Sequence, residues 1–146
     1  MNFISVISLL LQIPGKPGAK QRPRFNRSTG RAFTPEATAN YENLIKTLFL
    51  EKYPSYEPTD DPVNLNVVAV YEIPKSWSKK KRIAATEHKI FPGRPDIDNI
   101  LKVCQDGLNN VAYLDDAQIK KATVNKVYGD RPGVTILIEI ERRGEE

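Results

Sequence analysis

The sequence predicts an α+β domain in which a mixed β-sheet carries helices packed on it, and three observations point there. Two runs, Val63 to Ile73 and Val134 to Ile140, alternate in hydrophobicity with the two-residue period of a strand. Two other stretches carry helix signals, one opening at Thr34 and one at Asp98. The length of 146 residues fits one compact domain, taken as residues 1–146, with no repeat and no linker inside it.

The elements follow in chain order. Phe3 to Ile13 is an apolar run broken by Ser5, Ser8 and Gln12. From Phe3 to Leu11 it is apolar on both faces, which predicts a central strand covered on two sides, or one covered partly by a second subunit. Pro14 to Arg31 reads as a loop rich in proline and glycine. The first helix takes Thr34 as N-cap, Pro35 as its first helical position and Glu36 in its first turn. Tyr41, Leu44, Ile45, Leu48 and Phe49 form its apolar stripe, and Pro54 stops it. Val63, Leu65, Val67, Ala69, Tyr71 and Ile73 then alternate with Asn64, Asn66 and Glu72 as a strand with one buried face. The second helix starts at Asp98 and fades at Asn109-Asn110, with Leu101, Cys104 and Leu108 inward. Finally Gly129-Asp130-Arg131-Pro132-Gly133 reads as the turn of a terminal hairpin between Ile119–Tyr128 and the last strand.

Composition excludes several classes of function. Apolar residues make up 40% and charged residues 27%, values of an ordinary globular chain rather than a disordered, collagen-like or integral membrane one. The single Cys104 and single His88 leave no internal disulfide and no His/Cys zinc set, so any metal must be held by oxygen. Cys104 reads as core and His88 as a loop or surface residue, and neither takes a catalytic role. No Lys or Arg precedes the first apolar run and no small-residue cleavage pattern closes it, which leaves the cytoplasm as the expected location and no membrane as partner.

Charge is distributed unevenly. The net charge of +4 comes from 22 basic and 18 acidic residues. Lys16, Lys20, Arg22, Arg24, Arg27 and Arg31 follow one another with no acid between, alongside Phe25. Lys75, Lys79, Lys80, Lys81, Arg82, Lys89 and Arg94 make a second block in which Glu87 is the one acid, and Trp77 lies within it. Such blocks either form a solvated face or contact the phosphates of nucleic acid. Acids gather instead at Asp96, Asp98, Asp106, Asp115 and Asp116. In Pro95-Asp96-Ile97-Asp98-Asn99 an extended approach would turn both carboxylates to one side and Ile97 to the core, and Lys102, one turn past Asp98, would rise on the same face. Asp115-Asp116 returns further carboxylates to that wall. Oxygen ligands of this kind suit a hard cation that also binds substrate phosphate, and phosphodiester hydrolysis is the matching reaction. The same spacing also fits a helix-capping Asp98, a surface Asp98–Lys102 pair and a solvated turn at Asp115-Asp116, and the residues alone leave both readings open.

Taken together, Pro95-Asp96-Ile97-Asp98-Asn99-Ile100-Leu101-Lys102, Asp106-Gly107-Leu108-Asn109 and Leu114-Asp115-Asp116-Ala117-Gln118-Ile119 resemble the RusA-type Holliday junction resolvases. The likeness extends to Gly18-Ala19-Lys20-Gln21-Arg22-Pro23-Arg24, Phe33-Thr34-Pro35, Ile73 to Arg82 and Pro132-Gly133-Val134, and so spans most of the chain. It implies a homodimeric, Mg²⁺-dependent endodeoxyribonuclease, with Mn²⁺ as the alternative metal and no small-molecule cofactor. Its substrate would be the four-way DNA junction of recombination and repair, resolved by paired symmetric nicks. Carried over by position, Asp96, Asp98 and Asp116 are the metal-site acids and Lys102 the essential lysine, with Asp115 the neighbouring acid of the metal set. Lys20, Arg22, Arg24, Lys75, Lys79, Lys80, Lys81, Arg82 and Arg94 would contact DNA. The family's wedge aromatics precede the Asp pair, where this chain offers only Phe91. A flap or fork nuclease and a non-catalytic basic nucleic-acid-binding module use similar residues. The enzyme is favoured over the module because carboxylates repel phosphate unless a cation bridges them.

Overall fold

A computed structural model describes residues 4–144, with the side chain of Arg143 not described. Its elements are β1 (Ile4–Pro14), β2 (Arg24–Phe25), β3 (Ala32–Phe33), α1 (Glu36–Lys52), β4 (Val63–Glu72), α2 (Lys79–Thr86), α3 (Ile97–Leu108), β5 (Ile119–Gly129) and β6 (Gly133–Arg143). The main sheet has the order β1-β6-β4-β5, with β4 and β5 parallel and the other two pairings antiparallel. This is the expected α+β architecture with a mixed sheet.

Alternation decides which face of the sheet is covered. Val63, Leu65, Val67 and Ala69 of β4, Val134, Ile136, Ile138 and Ile140 of β6, and Leu9, Leu11 and Ile13 of β1 are all buried in one core. Helices α1 and α3 cover that face, presenting Ile45 and Phe49 from one and Ile100, Val103, Cys104 and Leu108 from the other. Truncating so enclosed a ring as Phe49 to alanine costs about 3–5 kcal/mol. The two helices approach closely because position 107 has no side chain: a Cβ on Gly107 would lie 2.8 Å from Ile45.

Several expectations are corrected. Strand β1 is an edge strand, paired only with β6, and Ile4, Val6 and Leu10 on its other face are exposed. Its doubly apolar character thus exceeds what this chain covers; Phe3, the expected first residue, lies outside the described residues. The terminal hairpin does not form as a pair, because β4 lies between β5 and β6 and bonds to both, and the 129–133 turn bridges the end of β4. A turn motif fixes only local reversal, whereas β4 has the cleanest apolar face and takes the centre. Helix α1 is capped by Pro35 rather than Thr34, and α3 by Asp96 rather than Asp98, one and two residues from the expected caps. With Asp98 inside the first turn, Ile97 swings outward and is half exposed instead of entering the core, and Leu101 is only partly buried. The first basic stretch is also more ordered than the loop reading predicts. It contains the small β2–β3 hairpin, and the second folds as α2 behind its Ser78 cap.

Candidate active site

The mouth of α3 carries the first acid pair. Asp96, extended at φ −69° and ψ 152°, is the N-cap, and Asp98 lies in the first turn. Both are exposed, and among the described residues neither makes an ion pair. The approach to Asp96 is held from the sheet: the Lys126 ammonium of β5 donates to the Gly93 carbonyl and, at 3.1 Å, to that of Pro95. Beside Asp96 opens a cleft of about 670 Å³ lined by Lys16, Arg22, Tyr71, Arg94, Asp96 and Asn99. Arg22 reaches it because the basic loop is tied down just before: the Lys20 backbone N–H donates to the Asn99 carbonyl at 2.8 Å. Gly18 lies so close to the ring of Tyr41 that a Cβ there would collide with it.

The second acid pair sits before β5, in a 3-10 turn at Asp116–Gln118. Asp115 caps this turn, accepting from the Ala117 N–H at 3.0 Å, while Gln118 accepts from the N–H groups of Leu114 and Asp115 at 2.9 Å each. Gln118 also donates to the carbonyls of Thr59 and Asp61, anchoring the turn to the body of the protein. The hydrogen bond from the Ala117 N–H holds the Asp115 carboxyl below its usual pKa.

Lys102 joins the two regions, though not as the spacing predicts. Its ammonium lies 3.3 Å from Asp116 Oδ2 and 3.2 Å from Asp106 Oδ1, and it makes no pair with Asp98. A Lys followed by an acid four residues on is the weaker order on a helix. Here two acids, the more enclosed Asp106 and the half-buried Asp116, outweigh a single exposed Asp98. Asp106 in turn binds Lys20 at 2.9 Å, and Lys20 binds Glu42 of α1 at 2.7 Å. Lys20, expected on the phosphate-facing rim, is therefore drawn inward into a run of alternating charge from α1 to the 3-10 turn. Burial works against the charge on Lys20 and Lys102, but their acid partners outweigh it and raise both pKa values.

The second basic block lies at the same end of β4. Lys75, Lys79 and Arg82 line a cleft of about 330 Å³ with Glu72, the neighbour of Tyr71 in the larger cleft. Lys80 and Lys81 are exposed on α2, and the Lys81 ammonium lies 3.9 Å from the centre of the Trp77 ring, which packs edge-on against Tyr128. Arg24 is exposed on the β2–β3 hairpin. Phe91 is 75% exposed in the loop before the Asp pair.

Asp106 and Lys46 are the site's supports that went unassigned. Lys46 donates to the carbonyls of Asp106, Gly107 and Asn109 and closes the C-terminal end of α3, and burial lowers its pKa. The i,i+4 spacing of Lys102 and Asp106 was a usable signal for the first. Nothing local marks Lys46 or Lys126. Among the described residues no three acidic, His or Cys side chains stand close enough to form a closed metal cage. The donors are nevertheless all oxygen and reach the surface, which suits a hard divalent cation that keeps waters and takes substrate phosphate as a ligand.

Exposed acids, a paired lysine and basic clefts on an α+β scaffold are the parts that phosphodiester cleavage by a nuclease calls for. The family model described as Endodeoxyribonuclease RusA matches residues 14–139, and the chain belongs to that family. It is 31% identical over 128 residues to a protein of Bacillus subtilis (strain 168) described as Uncharacterized protein YqaN, with 85% of this chain and 90% of that protein covered. The RusA family is the Holliday junction resolvase family, a group of divalent-metal-dependent nucleases. The chain is accordingly an endodeoxyribonuclease that binds branched DNA and resolves four-way junctions. Among the described residues no helix is long and apolar enough to cross a membrane.

Proposed function

We propose that Asp96, Asp98 and Asp116 form the metal set, that the metal is Mg²⁺ with Mn²⁺ as its substitute, and that Lys102 is the cationic partner in catalysis. The observation that carries this reading is the 3.3 Å Lys102–Asp116 pair, which links the 3-10 turn to the helix whose mouth bears the two exposed acids. A bound cation would supply Lewis acidity at the scissile phosphate. Asp96 and Asp98 would hold it from the helix mouth and Asp116 from the 3-10 turn. Asp115, in this reading, keeps Asp116 in position by capping that turn. Arg22 and Arg94 orient the phosphate in the large cleft, and the Lys102 ammonium stabilises the negative charge that builds in the transition state. Arg24, Lys75, Lys79, Lys80, Lys81 and Arg82 carry the DNA arms by phosphate contact, and Lys20 supports them from behind.

The active unit is a homodimer that makes paired symmetric nicks, each subunit, residues 1–146 as one domain, cutting one strand, in cytoplasmic recombination and repair. A two-fold junction is matched by a two-fold enzyme. The free edge and apolar outer face of β1 are where a second copy would dock, and Phe91 is placed to act as the wedge at the branch point. The test is incubation with a labelled four-way junction, a flap and a plain duplex, each with Mg²⁺ or EDTA. Symmetric Mg²⁺-dependent nicks on the junction alone are expected. Preferred cleavage of the flap would replace this reading with a flap or fork nuclease, and binding without cleavage under Mg²⁺ and Mn²⁺ with that of a non-catalytic binding module.

A further inference from the structure

We propose that Asp106 is a positioning residue of the site, clamped by Lys20 so that it keeps the Lys102 ammonium in place when Asp116 turns to the metal. The inference rests on the assignment of Lys102 and Asp116 just made.

Both oxygens of the Asp106 carboxylate are occupied by lysines, Oδ1 by Lys102 at 3.2 Å and Oδ2 by Lys20 at 2.9 Å. Its backbone is fixed as well, since Lys46 donates to the Asp106 carbonyl at 2.9 Å. Lys20 is fixed by Glu42 on one side and by its own N–H to Asn99 on the other. Exposure falls along the same path, from 49% for the Lys102 side chain to 23% for both Asp106 and Lys20 and 18% for Glu42. Lys102 is thus the most exposed of these four members of a chain anchored inside.

This arrangement answers a conflict within the site. Lys102 sits on Asp116 Oδ2, so a cation held by that carboxylate would compete with the lysine for its negative charge and weaken the contact that holds Lys102. With Asp116 as its only partner, Lys102 would then be released to solvent as the cation arrives. The second contact, to Asp106, keeps the ammonium on the wall beside the acids. A purely structural role would make the network a staple among α1, the basic loop and α3. Its loss would then lower stability without a separate effect on Lys102.

The experiment compares wild type, Asp106→Asn and Asp106→Glu in single-turnover cleavage of a labelled junction with Mg²⁺, together with junction affinity, melting, and NMR order parameters of the Lys102 ammonium in the metal-free protein. The expected result for Asp106→Asn is a rate loss of about 10- to 100-fold with junction affinity unchanged, and a Lys102 ammonium less ordered than in wild type. Asp106→Glu recovers most of the rate. The proposal is overturned if Asp106→Asn keeps the wild-type rate, or if the Lys102 ammonium stays as ordered as in wild type. Should wild type cleave no junction, the catalytic assignment fails by itself. The order of the Lys102 ammonium in Asp106→Asn then still decides whether Asp106 positions it.

Discussion

The two acid pairs differ in what the fold does with them. Asp96 and Asp98 stand at the open mouth of α3 beside a basic cleft, and among the described residues no lysine pairs with either. In Asp115 and Asp116 the first carboxylate is engaged in capping and the second in an ion pair with Lys102. Like residues two and one apart in sequence therefore arrive in unlike states. The difference teaches that an acid pair in a sequence says little about availability; the hydrogen-bond donors around it decide that. In this account the first pair receives the cation and the second supplies one ligand and the turn that holds it.

The largest effect should come from the first pair. Asp98→Asn is expected to lower Mg²⁺-dependent junction cleavage by at least about 100-fold, about 2.7 kcal/mol of transition-state stabilisation, with junction binding in gel shifts largely kept. Full activity would remove Asp98 from the mechanism. Next, the second pair should split: Asp116→Asn lowers single-turnover cleavage far more than Asp115→Asn does. Equal losses would break the distinction between ligand and cap. A pH series sharpens the point, because the Asp115 carboxyl is held below its ordinary value of 3.8 in the folded protein. Its stabilising contribution is present above that pH and disappears as pH falls through the folded value. The melting-temperature gap between wild type and Asp115→Asn should therefore be full at neutral pH and close in acid; a gap independent of pH would show that the carboxylate is not the cap. The smallest effect concerns the clefts alone. Lys79→Ala with Arg82→Ala should reduce the slope of log affinity against log salt by about 2, leaving the rate of bound junction unchanged.

Legibility followed the range of the interaction. The α+β class, the strands at β4 and β6, and both main helices could be read because alternation, stripe and proline signals act within a few residues. The strand order could not: the turn at 129–133 is real, yet the placement of β4 between β5 and β6 depends on which strand best fills the core. The apolar excess of β1 was visible, while its place at the edge was not. At the site, the four acids and Lys102 were legible through motif resemblance, but their partners were set by tertiary packing. Lys20 turns inward because Glu42, far along the chain on α1, meets it there. Lys126 reaches the loop before Asp96 only because β5 lies beside that loop in the fold.

The most direct test of the division between the acid pairs is titration of metal-free protein with Mn²⁺, read as paramagnetic broadening of backbone NMR signals in wild type, Asp98→Asn and Asp115→Asn. Broadening centred on residues 96–99 and 115–117 is expected in wild type, abolished or much weakened in Asp98→Asn and retained in Asp115→Asn. Broadening centred elsewhere, or unchanged in Asp98→Asn, would contradict that division.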